Sequence, residues 1–178
     1  MNFLISILLL SASVQAQMEA PVFGGTGCVG SKSLSKVVDA KDMYQIGLQV
    51  AIAKMNSPAL TRNTCTFRMP IKLKSNEKVI LSNVHHHVKL SAGKTAKAKS
   101  QLEFFIAGQK MTPLIAEVQG VNTTNRITRT LQSSERSESE CGKDVIIAGN
   151  LSGLVQGGGR GTVATQPVYF GLEIVNCN

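Results

Sequence analysis

Three consecutive histidines, His85, His86 and His87, are the residues of this chain best suited to coordination chemistry. Successive side chains on a strand point to opposite faces. His85 and His87 would therefore share a face with Lys89, and His86 would join Val84, Val88 and Leu90 on the other. Two imidazoles at that spacing can hold zinc or copper when a third ligand approaches. The flanking sequence offers no acid or cysteine, and Lys89 on the same face opposes a cation. His85 and His87 are thus candidate metal ligands without a partner. The favoured reading is two solvated rings and one buried His86, with no cofactor assigned. Below about pH 6.5 such rings gain positive charge and attract anions.

A second cluster is cationic. Lys89, Lys94, Lys97, Lys99 and Lys110 gather around a predicted turn at 91–94, and with Arg126 and Arg129 they form a candidate anion-binding face. The net charge of +8 agrees with an anionic partner. The expected partner is an anionic polysaccharide, lipopolysaccharide or another protein, and the bland reading of the charge is solubility. Nucleic acid is disfavoured, because single strands need aromatic platforms and only Phe104 and Phe105 lie near the cluster. Lysines on edge strands also block unwanted sheet pairing.

Catalytic chemistry finds little footing. The chain has no Gly-x-Ser-x-Gly elbow and no His-Glu-x-x-His. Asp39, Asp42, Asp144, Glu77, Glu103, Glu117 and Glu173 are scattered. A glycosidase needs two carboxylates about 5–9 Å apart, which only folding could supply. A chain with 4% aromatic residues and no Trp is poorly equipped with sugar-stacking platforms. The first reading is therefore a non-enzymatic binding protein. The alternative is a hydrolase acting on polysaccharide through carboxylates or a His-bound metal.

These residues need a scaffold, and the four cysteines indicate its kind. Cys28, Cys65, Cys141 and Cys177 are an even set without a paired C-x-x-C, which favours disulfides over zinc. Four cysteines allow three pairings, and sequence alone does not choose among them. We favour Cys28–Cys65 and Cys141–Cys177, on the expectation that each staples neighbouring strands in an up-and-down order. Cys177 stands one residue from the end of the sequence, where a crosslink would stop a terminal strand from fraying.

Residues 1–16 carry a short apolar run (3–10) and Val14-Gln15-Ala16, a signal-peptidase pattern with cleavage after Ala16. The run is shorter than the roughly 20 residues of a membrane span. No later stretch is apolar enough to span. The expected location is extracellular or periplasmic, with residues 17–178 as one domain.

Within that domain, period-two alternation recurs. Tyr44, Ile46, Leu48, Val50 and Ile52 share one face, as do Cys65, Phe67, Met69, Ile71 and Leu73. Pro70 cannot donate to a ladder, so its strand is expected at an edge or with a bulge. Residues 79–90, 96–108, 115–121, 126–131 and the apolar segments after Cys141 complete the set. Residues 17–22 read as a mobile lead, 55–58 as a turn and 132–140 as an exposed polar loop. The Gly-rich stretch 23–31 runs into a strand-like alternation at Leu34, Lys36 and Val38 rather than a helix, which argues against phosphate binding. Many short strands with regular turns predict an all-β fold, an antiparallel β-sandwich of jelly-roll-like or Greek-key type stapled by two disulfides.

The cysteine contexts Gly25-Thr26-Gly27-Cys28-Val29-Gly30-Ser31, Arg62-Asn63-Thr64-Cys65-Thr66-Phe67, Cys141-Gly142 and the terminal Cys177 resemble the DUF4360 family. The chain departs from that family at Val29, where Pro is usual, and at Glu140 and Asn176, where Trp is frequent. The resemblance implies a secreted, disulfide-bearing, β-rich domain, and it brings no catalytic residues.

Overall fold

The structure is a computed structural model that describes residues 17–30, 32–37, 42–54 and 60–177. The expected signal segment 1–16, the turn at 55–58, and Val38 and Asp39 lie outside the described residues. The strands are β1 (Gln17–Met18), β2 (Val22–Gly24), β3 (Leu34–Lys36), β4 (Met43–Ile46), β5 (Ala51–Lys54), β6 (Thr61–Lys72) and β7 (Glu77–Ala92). They continue with β8 (Ala96–Ile106), β9 (Gln109–Lys110), β10 (Leu114–Gln119), β11 (Asn125–Ser133), β12 (Ser137–Glu138), β13 (Val145–Gly157) and β14 (Gly161–Asn176).

Two antiparallel sheets pack as a sandwich, as the alternation predicts. The first runs β1-β6-β13-β8-β10, with β2 also on β6 and β9 on β8. The second runs β11-β7-β14-β4-β3, with β12 on β7 and β5 on β14. Both expected disulfides form, Cys28–Cys65 and Cys141–Cys177. The expected up-and-down order is not found. The long strands β6, β7 and β8 alternate between sheets, and the consecutive strands β13 and β14 sit at the centre of one sheet each. The segment between the last two cysteines is thus the middle of both layers.

Inward residues of both sheets meet in one core. Phe67, Phe104 and Phe170 form its aromatic centre, with successive ring centroids 5.5 Å apart. Gly149 lies beneath them, where a Cβ would come within 2.4 Å of the Phe67 ring. A larger residue there would overpack the core.

Three local readings are corrected by the pairing. The strand carrying Pro70 is neither an edge nor bulged, because β13 pairs with it in unbroken register. The interruption falls on its other partner: β1 and β2 leave β6 at residues 19–21, opposite Pro70. The Pro70 carbonyl accepts from Glu19 N–H on that side, and a residue's N and carbonyl point the same way in an antiparallel strand. The missing donor therefore faces the gap and costs no ladder bond to β13. The lead 17–22 is held on β6 by β1 and the start of β2. The polar loop 132–140 is partly strand, with Ser137 and Glu138 paired to β7 and Ser139 buried, its Oγ accepting from Val79 N–H at 3.0 Å.

The alternating run from Tyr44 to Ile52 keeps its face but not its continuity. Ile46, Leu48, Val50 and Ile52 are buried, yet β4 and β5 are separate strands on β14. The break lies beside a register shift in β14 between Thr165 and Val168, at Pro167. Buried Thr165 bridges it: its Oγ accepts from Val50 N–H at 2.8 Å and donates to Val50 C=O at 3.2 Å. Thr165→Val leaves that buried N–H without its acceptor. It should lower stability by about 1–3 kcal/mol in denaturant unfolding.

Candidate functional site

Two irregularities decide what the outer face of the second sheet displays. Asn83 adopts a left-handed φ of 49°, and the β7–β14 register shifts there. Before it Val79 and Leu81 point inward; after it Val84, Val88 and Leu90 do, with His86 among them. The extra residue resets the phase and aims His85, His87, Lys89 and Ser91 outward. In β14 the shift at residues 166–167 does the same, so that Thr162, Ala164 and Gln166 precede Tyr169 on the outside.

Cross-strand pairs then build rows across the sheet. His85 lies between Tyr169 and Gln132, Lys89 between Ala164 and Thr128, and Ser91 between Thr162 and Arg126. The His85 and Tyr169 rings stack, with centroids 4.9 Å apart and planes 10° from parallel. His87 Nδ1 and Thr130 Oγ1 are 2.8 Å apart. Ser91 and Thr162 hydroxyls are hydrogen-bonded at 2.7 Å.

Three hollows follow β7 from Asn83 to Ser91 along this face, and a fourth, of about 510 Å³, lies before Asn83 against Lys78, Ile80 and Arg136. One of about 620 Å³ is bounded by Ala51, Ala53, Lys89, Arg126, Thr128, Thr162 and Ala164, among others. A second, of about 270 Å³, shares Lys89, Thr128 and Ala164 with it and adds His87 and Gln166. The third, of about 330 Å³, is lined by Asn83, His85, Gln132 and Ser134 with their neighbours. Among the described residues, no carboxylate lines any of the three. The depth comes from small side chains: Ala51, Ala53 and Ala164 lie low between Lys89 and the neighbouring strands.

The candidate residues divide between the layers. Lys89 and Arg126 meet at the largest hollow. Arg129 is on β11 opposite Val88, in the inward phase, and so turns away from Arg126 at the sheet edge. Lys94 stands exposed in the turn after β7. Lys97 and Lys99 lie on β8, on the outer face of the first sheet, where Lys97 pairs with Glu117 at 2.7 Å. Lys110 pairs with Glu103 at 2.5 Å. The single basic face expected from the sequence is therefore split, and only Lys89 and Arg126 share a site. The sequence reading also passed over Tyr169, Gln132, Gln166, Thr162 and the alanine floor. The alternation Thr162, Ala164, Gln166 against Val163 and Thr165 was the available signal.

His85 and His87 do face outward together, with ring centroids 6.2 Å apart. Among the described residues no group of three or more His, Cys, Asp or Glu side chains converges as a metal site would require. Burial holds the His85 imidazole below its usual range, and nearby His87 pushes the same way. His86 is fully buried. Burial pulls it down to about 4, against the Gln166 backbone, which favours the charged ring. Neither of its ring nitrogens has a hydrogen-bond partner of good geometry. On the opposite sheet, Glu103 is held below the usual carboxylate range by Lys110, with Gln101 adding to it. That is the behaviour of a paired structural anion, since a general acid needs its pKa raised.

No family model matches the chain, and no curated protein does. Among solved structures it is similar to TmCBM61 in complex with beta-1,4-galactotriose, at 10% identity over 88% of each chain with a TM-score of 0.28. It is also similar to a non-crystalline cellulose specific carbohydrate-binding module, CBM28, at 10% identity over 84% of this chain and 87% of that one, TM-score 0.31. A third likeness is to the enzymatically active domain of tailspike protein 4 of bacteriophage CBA120. It has 13% identity over 86% of this chain and 19% of that one, TM-score 0.29. At such TM-scores none of these bears on what this chain binds. No helix of the described residues is long and apolar enough to cross a membrane.

Proposed function

We propose that this chain is an exported, non-catalytic binding domain that holds an anionic polysaccharide on the outer face of its second sheet. One observation carries the reading: among the described residues, the largest hollow on that face has Lys89 and Arg126 at its rim and no carboxylate in its lining. Cations without local counter-ions leave a field for an anionic chain to fill. The hydroxyls of Ser91, Thr128 and Thr162 supply hydrogen-bond donors and acceptors suited to sugar hydroxyls. The two disulfides fit an oxidising compartment, outside the cell or in a periplasm. Removal of residues 1–16 on export, and kinship with the DUF4360 family that the cysteine contexts resemble, belong to the same reading.

The test is retention of the mature chain on immobilised polygalacturonate and lipopolysaccharide across a salt series, against a neutral polysaccharide. Retention on an anionic matrix at low salt, lost as salt rises, supports the reading. The variant Lys89→Gln/Arg126→Gln should bind about tenfold more weakly, two exposed ionic contacts being removed. Equal retention of variant and native chain would move the site elsewhere, and no retention by the native chain would end the proposal.

A further inference from the structure

We propose that the three hollows form one linear groove for an extended acidic polysaccharide lying along β7, and that His85 and His87 tighten its hold in mild acid. This rests on the reading above and names its ligand geometry and its pH response. The hollows adjoin: the larger two share Lys89, Thr128 and Ala164, and the third opens at His85, two residues beyond His87. Outward residues of one strand recur about every 6.6 Å, so Ser91, Lys89, His87 and His85 mark a line about 20 Å long. A linear chain fits a line of repeated contacts, whereas a compact anion would use one hollow.

The sides of the groove favour sugar over nucleic acid. They carry hydroxyl and amide groups: Thr128, Thr130 and Gln132 from β11, Thr162 and Gln166 from β14. Base stacking needs a free aromatic face. Tyr169 has one face covered by His85.

Histidine supplies the pH response because, among the described residues, nothing negative faces it. The titratable or charged groups around the pair are Tyr169 from β14, and Lys89 and the two rings themselves from β7; β11 presents only Thr128, Thr130 and Gln132. A positive charge on this row is therefore not cancelled locally and adds to the field of Lys89 and Arg126. Burial of His85 places its gain at more acidic pH than an ordinary imidazole.

Calorimetric titration of the mature chain with galacturonic acid oligomers of graded length tests this. Affinity should rise about tenfold from about pH 7.5 to about pH 5 at low salt. It should grow with oligomer length until the chain spans about 20 Å and then level off. His85→Gln/His87→Gln should lose the rise, its affinity changing by less than about twofold between the two pH values whatever its level, with circular dichroism confirming the fold at both. A native affinity equal at both pH values, or a rise kept by the double variant, overturns the histidine role while leaving the binding face standing. Affinity independent of length overturns the groove. Equal binding of the neutral methyl ester, or tighter binding of single-stranded DNA, overturns the acidic polysaccharide. Absence of binding at either pH removes the underlying reading itself.

Discussion

Cys28→Ala/Cys65→Ala is expected to melt about 10 °C below the native chain, for a loss of about 4 kcal/mol. The two cysteines are 37 residues apart in sequence. Untying a loop of that size returns that much entropy to the unfolded chain in the loop-closure model. The structure adds a native-state reason. Cys65 is fully buried in β6 of the first sheet. Cys28 lies in the segment that bridges to Val50, next to β5 of the second sheet. The bond therefore pins the edge where the two layers meet, and where β4 and β5 are separate short strands. Alanine avoids burying an unpaired hydroxyl at position 65. Cys141→Ala/Cys177→Ala removes a loop of nearly equal size, 36 residues, so its global loss should be similar. It also frees the tail of β14, where Cys177 N–H donates to Asn76 C=O and Gly142 N–H donates to Glu77 C=O. Faster amide exchange at residues 173–177 should distinguish it. Differential scanning calorimetry under non-reducing conditions makes the comparison. A shift of less than about 3 °C in the first variant would mean that the crosslink is incidental to the fold.

The sandwich was legible because its signal is local. Alternation in β6 and β8, and in β7 beyond Asn83, states which side chains are inward, and burial follows it there. The disulfide pairing was also favoured correctly, although the topology behind that preference was not. Up-and-down order is the simplest guess for consecutive strands, but strand order depends on long-range pairing that no window of sequence contains. The same distinction explains the site. Outward Lys89 and His87 could be read from β7 alone. That Arg126 would stand beside Ser91 while Lys97 and Lys99 went to the other layer could not, because it depends on which sheet β8 joins. Closeness in sequence is not closeness on the surface where a turn between two layers breaks that link. The floor of Ala51, Ala53 and Ala164 was invisible for a related reason. Small side chains carry no chemistry singly, and they matter only when β5 and β14 set them side by side.

His86 should make the domain acid-sensitive in a window above that of its carboxylates. The ring is fully buried and neither nitrogen has a hydrogen-bond partner of good geometry, so the native state holds it neutral, with its pKa lowered from 6.5 to about 4 by burial, against the Gln166 backbone. Between those values the unfolded chain binds a proton that the folded chain refuses. More protons on the unfolded state means that stability increases with pH across the window. The contribution is fully present above about pH 6.5 and is lost as pH falls toward 4, by about 3 kcal/mol, at about 1.4 kcal/mol per pH unit. The effect of carboxylates cancels in a comparison with a variant that keeps them. His86→Leu replaces the orphaned ring with an apolar side chain beside the cross-strand residues Val168 and Leu131. Removing an unpaired buried polar group in favour of an apolar one is neutral or stabilising. The variant should therefore be at least as stable as the native chain at pH 7, and more stable by a margin that widens by about 3 kcal/mol on acidification to about pH 4. Urea unfolding at a series of pH values measures that margin directly. A constant difference between the two chains would show that the ring is protonated, or paired, in the folded state. A markedly less stable variant at pH 7 would show that the imidazole makes a contact the packing of β7 against β14 depends on. The window matters for the groove as well: His85 and His87 face the solvent from the same strand. Acid also acts on the fold through His86, so the binding test of the proposed groove is confined to pH values at which that buried ring stays neutral.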